Sequence, residues 1–189
     1  MGNAEVKKRI VIASVLKPVD DTRMTGKIGR TLASTGKYDV NIVGYPSDTN
    51  PPTTSNLTYH PLPRFKRLSF KRMLMSGNVQ AKIISLKPDL LVIGTHELIV
   101  PAVMAKMATG CKVIYDVQEN YYRNIRHTNA FPPVLRNLIA AYVRFKEWVF
   151  ASAIDHFFLA ERSYPAETSF FKKRFTILEN KVRKASSSL

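Results

Sequence analysis

At 189 residues the chain holds one sizeable α/β domain or at most two small ones, and a hydrophobic content of 45% excludes a disordered polypeptide. Its single cysteine, Cys111, excludes an internal disulfide framework and a cysteine-rich zinc site, and fits a reducing compartment. The formal net charge of +15 favours anionic partners: phosphate-bearing substrates, acidic lipid headgroups or nucleic acid.

Lys7, Lys8 and Arg9 precede the apolar run from Ile10 to Leu16, as a signal peptide would begin. That run is short, β-branched and stopped by Lys17 and Pro18, without a small-residue cleavage site. It reads as a strand, over Arg9 to Ser14, in a cytoplasmic protein. A helix is expected over Thr25 to Ser34, closed by Gly36, and a second strand over Asp39 to Tyr45. The Ser47 to Ser55 stretch is a polar loop. Leu57 to Pro63 is expected at a sheet edge, because its prolines cannot serve a central ladder. A helix follows over Phe70 to Leu86, stopped at Lys87 and Pro88. Strands over Asp89 to His96 and Lys112 to Glu119 flank a helix over Pro101 to Ala108, which Gly110 caps. The longest helix, Pro133 to Ala153, precedes strands over Asp155 to Glu161 and Phe175 to Lys181.

The strands are short, β-rich and apolar on both faces, the pattern of parallel strands buried under helices. Alternation with helices predicts a Rossmann-like parallel sheet with right-handed crossovers and helices on both faces. Ligands in such a sheet bind beyond the carboxyl ends of the strands. Those ends carry Lys17, Asp20, Asp21, Arg23 and Lys27, then His96 and Glu97, then Asp116, Gln118 and Glu119. The chain has no G-x-G-x-x-G turn, no Walker loop and no G-x-S-x-G, and its histidine spacing suggests no metal site.

The stretch from Pro88 to Glu97, PDLLVIGTHE, resembles the central acceptor-domain strand of retaining GT-B glycosyltransferases, which commonly ends in a cleft-facing histidine. Tyr115 to Glu119 is similar to that family's Tyr-Asp-x-His-Glu motif. Ala160 to Ser163 and Phe175 to Lys181 look like the last two strands before its crossover into the donor domain. The resemblance runs in order along nearly the whole chain. It implies an N-terminal acceptor domain over residues 1–181, a crossover linker at 182–189, and a C-terminal donor domain beyond. It also implies transfer of a sugar from a nucleotide-sugar, with retention, to a saccharide or lipid-linked acceptor, without a further cofactor. The chain by itself is then expected to be inactive. His96 is the candidate catalytic residue, steadying charge at the reacting carbon; its alternative role is to cap the helix that follows. Lys17, Asp20, Asp21, Arg23, Lys27, Glu97, Asp116, Gln118 and Glu119 are candidate acceptor contacts, or else structural and solvated polar groups. Gln118 stands where the family usually has histidine; glutamine can hold a hydroxyl but cannot take its proton.

Arg64, Lys66, Arg67, Lys71 and Arg72 are interleaved with Phe65, Leu68 and Phe70, with no acid among them. This segment is expected either to lie on an anionic membrane surface or to form a core-packed helix with a solvated face. Leu135, Leu138, Ile139, Tyr142, Phe145 and Trp148 recur at helical spacing and are expected to pack in the core. A basic nucleic-acid-binding module and a non-catalytic small-molecule-binding domain are alternative readings. The former lacks any stacking or groove-reading motif beyond charge.

Overall fold

Continuous apolar runs become the centre of a seven-stranded, all-parallel sheet in the computed structural model, which describes residues 6–49, 51, 53–65, 70–128, 132–167, 170–171 and 174–180. The strands are β1 (Lys8–Pro18), β2 (Tyr38–Tyr45), β3 (Leu57–Pro61), β4 (Leu90–Ile93), β5 (Lys112–Val117), β6 (His156–Leu159) and β7 (Phe175–Ile177). Their spatial order is β3-β2-β1-β4-β5-β6-β7. The order therefore reverses between β1 and β4, which pair directly from Ile10↔Leu90 to Ala13↔Ile93. Such a reversal opens a crevice at the carboxyl ends of the two strands. The proline-bearing β3 lies at the sheet edge, as its composition predicts.

The first helix starts earlier than its apolar pattern suggests. A π-helical segment, Thr22–Gly29, runs into α1 (Arg30–Ser34). The Asp21 carboxylate accepts from the backbone N–H groups of Arg23 (3.0 Å) and Met24 (2.9 Å), so the segment is capped right after β1. Gly26 N–H donates to the carbonyl of Asp21 (3.3 Å), the wider spacing of a π turn. Helix α2 spans Phe70–Leu86 and α3 Ile99–Thr109, with Gly110 in the left-handed region (φ 75°) as the expected cap. A short helix absent from the sequence reading, α4 (Tyr121–His127), is capped by the Asn120 side chain accepting from Arg123 N–H (3.2 Å). Helix α5 spans Pro133–Phe150 and continues as a 3-10 turn, Ala151–Ala153, covering the range expected. A single turn, α6 (Tyr164–Glu167), precedes β7.

Alternate strand residues serve two cores. Val11, Leu91, Ile93, Val113, Tyr115 and Phe157 meet Val79 and Ile83 of α2 and Ile99 and Ala102 of α3 on one face. On the other, Ile10, Ile12, Val40, Ile42 and Val92 meet Met24 and Ala33. Here Leu90, Val92, Ile114 and Phe158 also line an open cavity of about 360 Å³, with Arg23, Lys27 and Leu178 at its wall.

One expectation is overturned. Leu135, Leu138, Tyr142, Phe145 and Trp148 are not core residues: they are 45–66% exposed, and Ile139 is half-buried. The face that α5 buries carries Ala140, Val143, Lys146 and Glu147 instead. Periodicity marks the two faces of a helix without saying which one meets the protein. Here the inner face is set by polar partners, because Lys146 and Glu147 reach His96 and Tyr115 under the end of the sheet.

Candidate functional site

Two polar clusters form at the carboxyl edge of the sheet. The first joins the loop after β1 to the end of β5. Arg23 donates from Nε to Oδ2 of Asp116 (2.8 Å) and from Nη2 to Oδ1 (2.6 Å), a two-pronged ion pair between side chains only 3% and 2% exposed. Its remaining nitrogen, Nη1, donates to the carbonyl of Leu178 after β7 (2.8 Å). The pair thus ties together three strand ends that are far apart in sequence. Gln118 Nε2 donates to Asp116 Oδ2 (2.9 Å), which fixes the amide. Among the described residues no hydrogen bond reaches its Oε1, which stays available to accept from a hydroxyl.

The second cluster surrounds His96, which opens the 3-10 turn His96–Leu98 after β4. Its imidazole packs edge-on against Tyr121, with ring centroids 4.7 Å apart. Lys146 Nζ lies 3.2 Å from Nδ1 and Glu97 Oε2 lies 3.7 Å from Nε2. When Lys146 is protonated it has only protons to give, so Nδ1 accepts from it and a proton on Nε2 then faces Glu97. Beneath, Glu147 pairs with Arg144 (3.3 Å) and accepts from the Tyr115 hydroxyl (3.2 Å). Burial lowers the Lys146 ammonium below its usual range, against the attraction of Glu97 and Glu147. Burial likewise pushes the Glu147 carboxyl up to about 7, against Arg144, the Tyr115 hydrogen bond and Lys146. The Tyr121 and Tyr115 hydroxyls are raised by burial and by neighbouring carboxylates, so both remain protonated donors.

Gly94 joins the two clusters. A side chain there would bring its Cβ to 3.0 Å from Gln118 Nε2, so the amide held by Asp116 would have to shift by a few tenths of an ångström. The Tyr121 hydroxyl donates to the Gly94 carbonyl (3.4 Å). Next in the chain, the buried Thr95 hydroxyl has no hydrogen-bond partner among the described residues, which is uncommon for a buried polar group.

The structure therefore brings Arg23, Asp116, Gln118, His96 and Glu97 to the crevice side of β4 and β5. Glu119 accepts from Asn124 of α4 (3.2 Å). Lys27 donates to Asn180 (2.7 Å) across the end of β7. Asp20 accepts from Ser47 and Thr49, and the Ser47 bond foremost holds its carboxyl below the usual range. Asp21 caps the π-helical segment, and the backbone N–H of Lys17 donates to Ser14 Oγ (3.2 Å). Lys146, Tyr121 and Arg144 escaped the sequence reading: Lys146 lies 50 residues from His96, and only proximity in the fold relates them.

Of the basic segment, Arg64 pairs with Asp48 (3.0 Å) on the surface. Lys66 and Arg67 lie outside the described residues, as do the side chains of Lys71 and Arg72 and all of 181–189. Among the described residues no group of histidine, cysteine and carboxylate side chains could hold a metal ion, and no helix is long and apolar enough to cross a membrane.

No family model matches the chain, and no curated protein matches it by sequence. Solved structures do resemble it in fold. Glycyrrhiza uralensis UGT73P12, in complex with glycyrrhetinic acid 3-O-monoglucuronide, superposes with a TM-score of 0.62 at 11% identity, over 93% of this chain and 49% of that one. Sucrose-phosphate synthase from Thermosynechococcus elongatus gives 0.60 at 10% identity, over 92% and 48%. The lipopolysaccharide outer core galactosyltransferase WaaB gives 0.56 at 11% identity, over 94% and 47%. The chain spans about half the length of these proteins. Its fold is the Rossmann-like α/β domain of GT-B-type glycosyltransferases.

Proposed function

We propose that this chain is the acceptor-binding half of a glycosyltransferase that moves a sugar from a nucleotide-sugar to a saccharide or lipid-linked acceptor. The observation that carries the reading is the position of His96 at the carboxyl end of β4, beside the reversal of strand order, in a fold shared with sugar transferases. A neutral imidazole gripped by Lys146 and Tyr121 loses little freedom when it meets a substrate, so its dipole can act on charge developing at the reacting carbon. Gln118, fixed by Asp116, offers an amide oxygen to an acceptor hydroxyl. Arg23 and Asp116 act by holding that amide and the ends of β5 and β7 in register. In this reading the donor site belongs to a second α/β domain. Transfer needs both halves, and the acceptor enters from the crevice at the edge of this one.

Two titrations of the chain alone test the proposal. Calorimetry with a panel of nucleotide-sugars is expected to give no binding at micromolar or tighter affinity; tight binding would contradict the assignment of the donor site elsewhere. Amide shift mapping with saccharides and lipid-linked saccharides is expected to move His96, Gln118 and Lys17 resonances most. Shifts confined to other surfaces would contradict an acceptor site at this edge.

A further inference from the structure

The inner face of α5 buries a lysine. Lys146 is only 8% exposed, although a lysine stem is long enough to carry its ammonium to water. Among the described residues its Nζ makes one hydrogen bond, to Nδ1 of His96 (3.2 Å), and no carboxylate pairs with it directly. The neighbouring acid, Glu147, is taken by Arg144 (3.3 Å) and the Tyr115 hydroxyl (3.2 Å). Glu97 and Glu147 attract the ammonium from beyond direct contact, against its desolvation. A methionine or leucine would fill such a position without burying charge, and a buried charge without a close counter-charge is poor material for stability. What this lysine touches is the histidine at the end of β4.

The groups facing the imidazole explain what the contact does. Glu97, from the histidine's own turn, lies 3.7 Å from Nε2 and favours a charged ring. Tyr121, from α4, packs edge-on and gives its hydroxyl proton to the Gly94 carbonyl. Lys146 comes from α5, with Glu147, Arg144 and Tyr115 behind it. Without Lys146, the Glu97 carboxylate would set the balance and favour the imidazolium. With it, the Nδ1 lone pair is engaged by an N–H donor. Protonating Nδ1 would break that hydrogen bond and set two cations side by side.

We propose that Lys146 is a positioning residue for His96: its ammonium engages Nδ1, excludes a proton there, and keeps the ring a neutral N–H donor at Nε2 through mildly acidic pH. The purpose of this control rests on the glycosyl-transfer reading, in which His96 meets developing charge with a fixed dipole. The control itself is a property of this chain. It goes further than holding the ring in place, because it decides which ring nitrogen donates and what charge the ring carries. Lys146 acts through His96 and touches no substrate.

The ring nitrogens of His96 are followed in proton–nitrogen correlation spectra of the full chain, with its signals assigned by their loss in His96→Gln. At about pH 6 an ordinary histidine is largely charged. The wild-type ring is expected to show one protonated nitrogen, Nε2, and one bare nitrogen, Nδ1, at that pH as at mildly alkaline pH. Lys146→Met is expected to raise the ratio of charged to neutral ring there at least about tenfold, because one adjacent cation outweighs a single pH unit. Lys146→Arg keeps a group that can only donate and is expected to restore the neutral pattern. Three results overturn the proposal: a doubly protonated wild-type ring at mildly acidic pH, a wild-type ring proton on Nδ1, or a methionine variant whose ring signals match the wild type. The first two need no variant, so the proposal can fail even where Lys146→Met does not fold. Turnover by the chain joined to its donor half separates the two readings. Lys146→Met is expected to show a fall of about tenfold from mildly alkaline to mildly acidic pH that the wild type lacks. Ring signals as expected, without transfer by the wild type, would overturn the glycosyl-transfer reading alone. Transfer that depends on His96, with ring signals indifferent to Lys146, would overturn this proposal alone.

Discussion

Helix α3 turns Ile99, Ala102 and Ala105 into the sheet, whereas α5, packed beside it, turns in Ala140, Val143, Lys146 and Glu147 and leaves Phe145 and Trp148 in solvent. The two helices pack against each other but follow different rules of burial. In α3 the apolar effect alone selects the inner face. In α5 a charged pair is drawn inward because each member finds partners there: Lys146 at His96, Glu147 at Arg144 and Tyr115. Burying charge is tolerated only where it is paired and hydrogen-bonded, and such arrangements often serve a site rather than stability. The contrast shows why His96 has a preset environment, and why the apolar side of α5 is left facing outward.

The comparison can be broken most directly at Glu147. Glu147→Ala takes the buried carboxylate from Arg144 and the acceptor from the Tyr115 hydroxyl, and a loss of roughly 3–5 kcal/mol is expected. For a domain of this size that lowers the melting temperature by about 6–20 °C, measurable by calorimetry. A change below about 1 kcal/mol would mean that the inner charges of α5 are solvated. Arg23→Met removes one side of the ion pair with Asp116 and is expected to cost a similar 3–5 kcal/mol by denaturant titration. The double change Arg23→Met, Asp116→Leu is expected to recover much of that loss, since neither charge is then buried alone.

The pH dependence sharpens the same contrast. Burial raises the folded-state pKa of Glu147 to about 7, above its unfolded value of 4.5. A raised acid favours the folded state while protonated, so its contribution is full below pH 4.5. That contribution is lost as pH rises through about 7. The loss is on the order of 3 kcal/mol, and Glu147→Gln should flatten this part of the stability profile. A profile unchanged by the substitution would contradict the burial argument. At the small end, Tyr142→Ser or Phe145→Ser on the outer face is expected to change stability by no more than about 0.5 kcal/mol. Losses of 2 kcal/mol or more would return these residues to the core.

The strands were legible in the sequence because a strand covered on both faces is apolar at nearly every position, as in LLVI of β4. The edge position of β3 was legible from its prolines, and the cap of α3 from Gly110. The polar strand ends were legible as residues of the carboxyl edge of the sheet, where His96, Asp116 and Gln118 lie. What stayed hidden depends on distance along the chain. Arg23 and Asp116 are separated by 93 residues, and no local pattern pairs them. Helix α4 has too little apolar periodicity to announce itself, although Asn120 at its start was a usable signal. The outward stripe of α5 was misassigned because a helix pattern reports contrast between faces, while the environment of each face is a property of the assembled fold.

The most direct test of the proposed function is sugar transfer by this chain joined to its donor half, with wild-type His96 and with His96→Ala. Losing one preorganised group of this kind is expected to lower turnover by roughly 10²–10³. Because Lys146 loses its acceptor at Nδ1, some fall in melting temperature is expected as well, and turnover is compared where both proteins are fully folded. Equal turnover in the two folded proteins would contradict a catalytic role for the histidine at the end of β4.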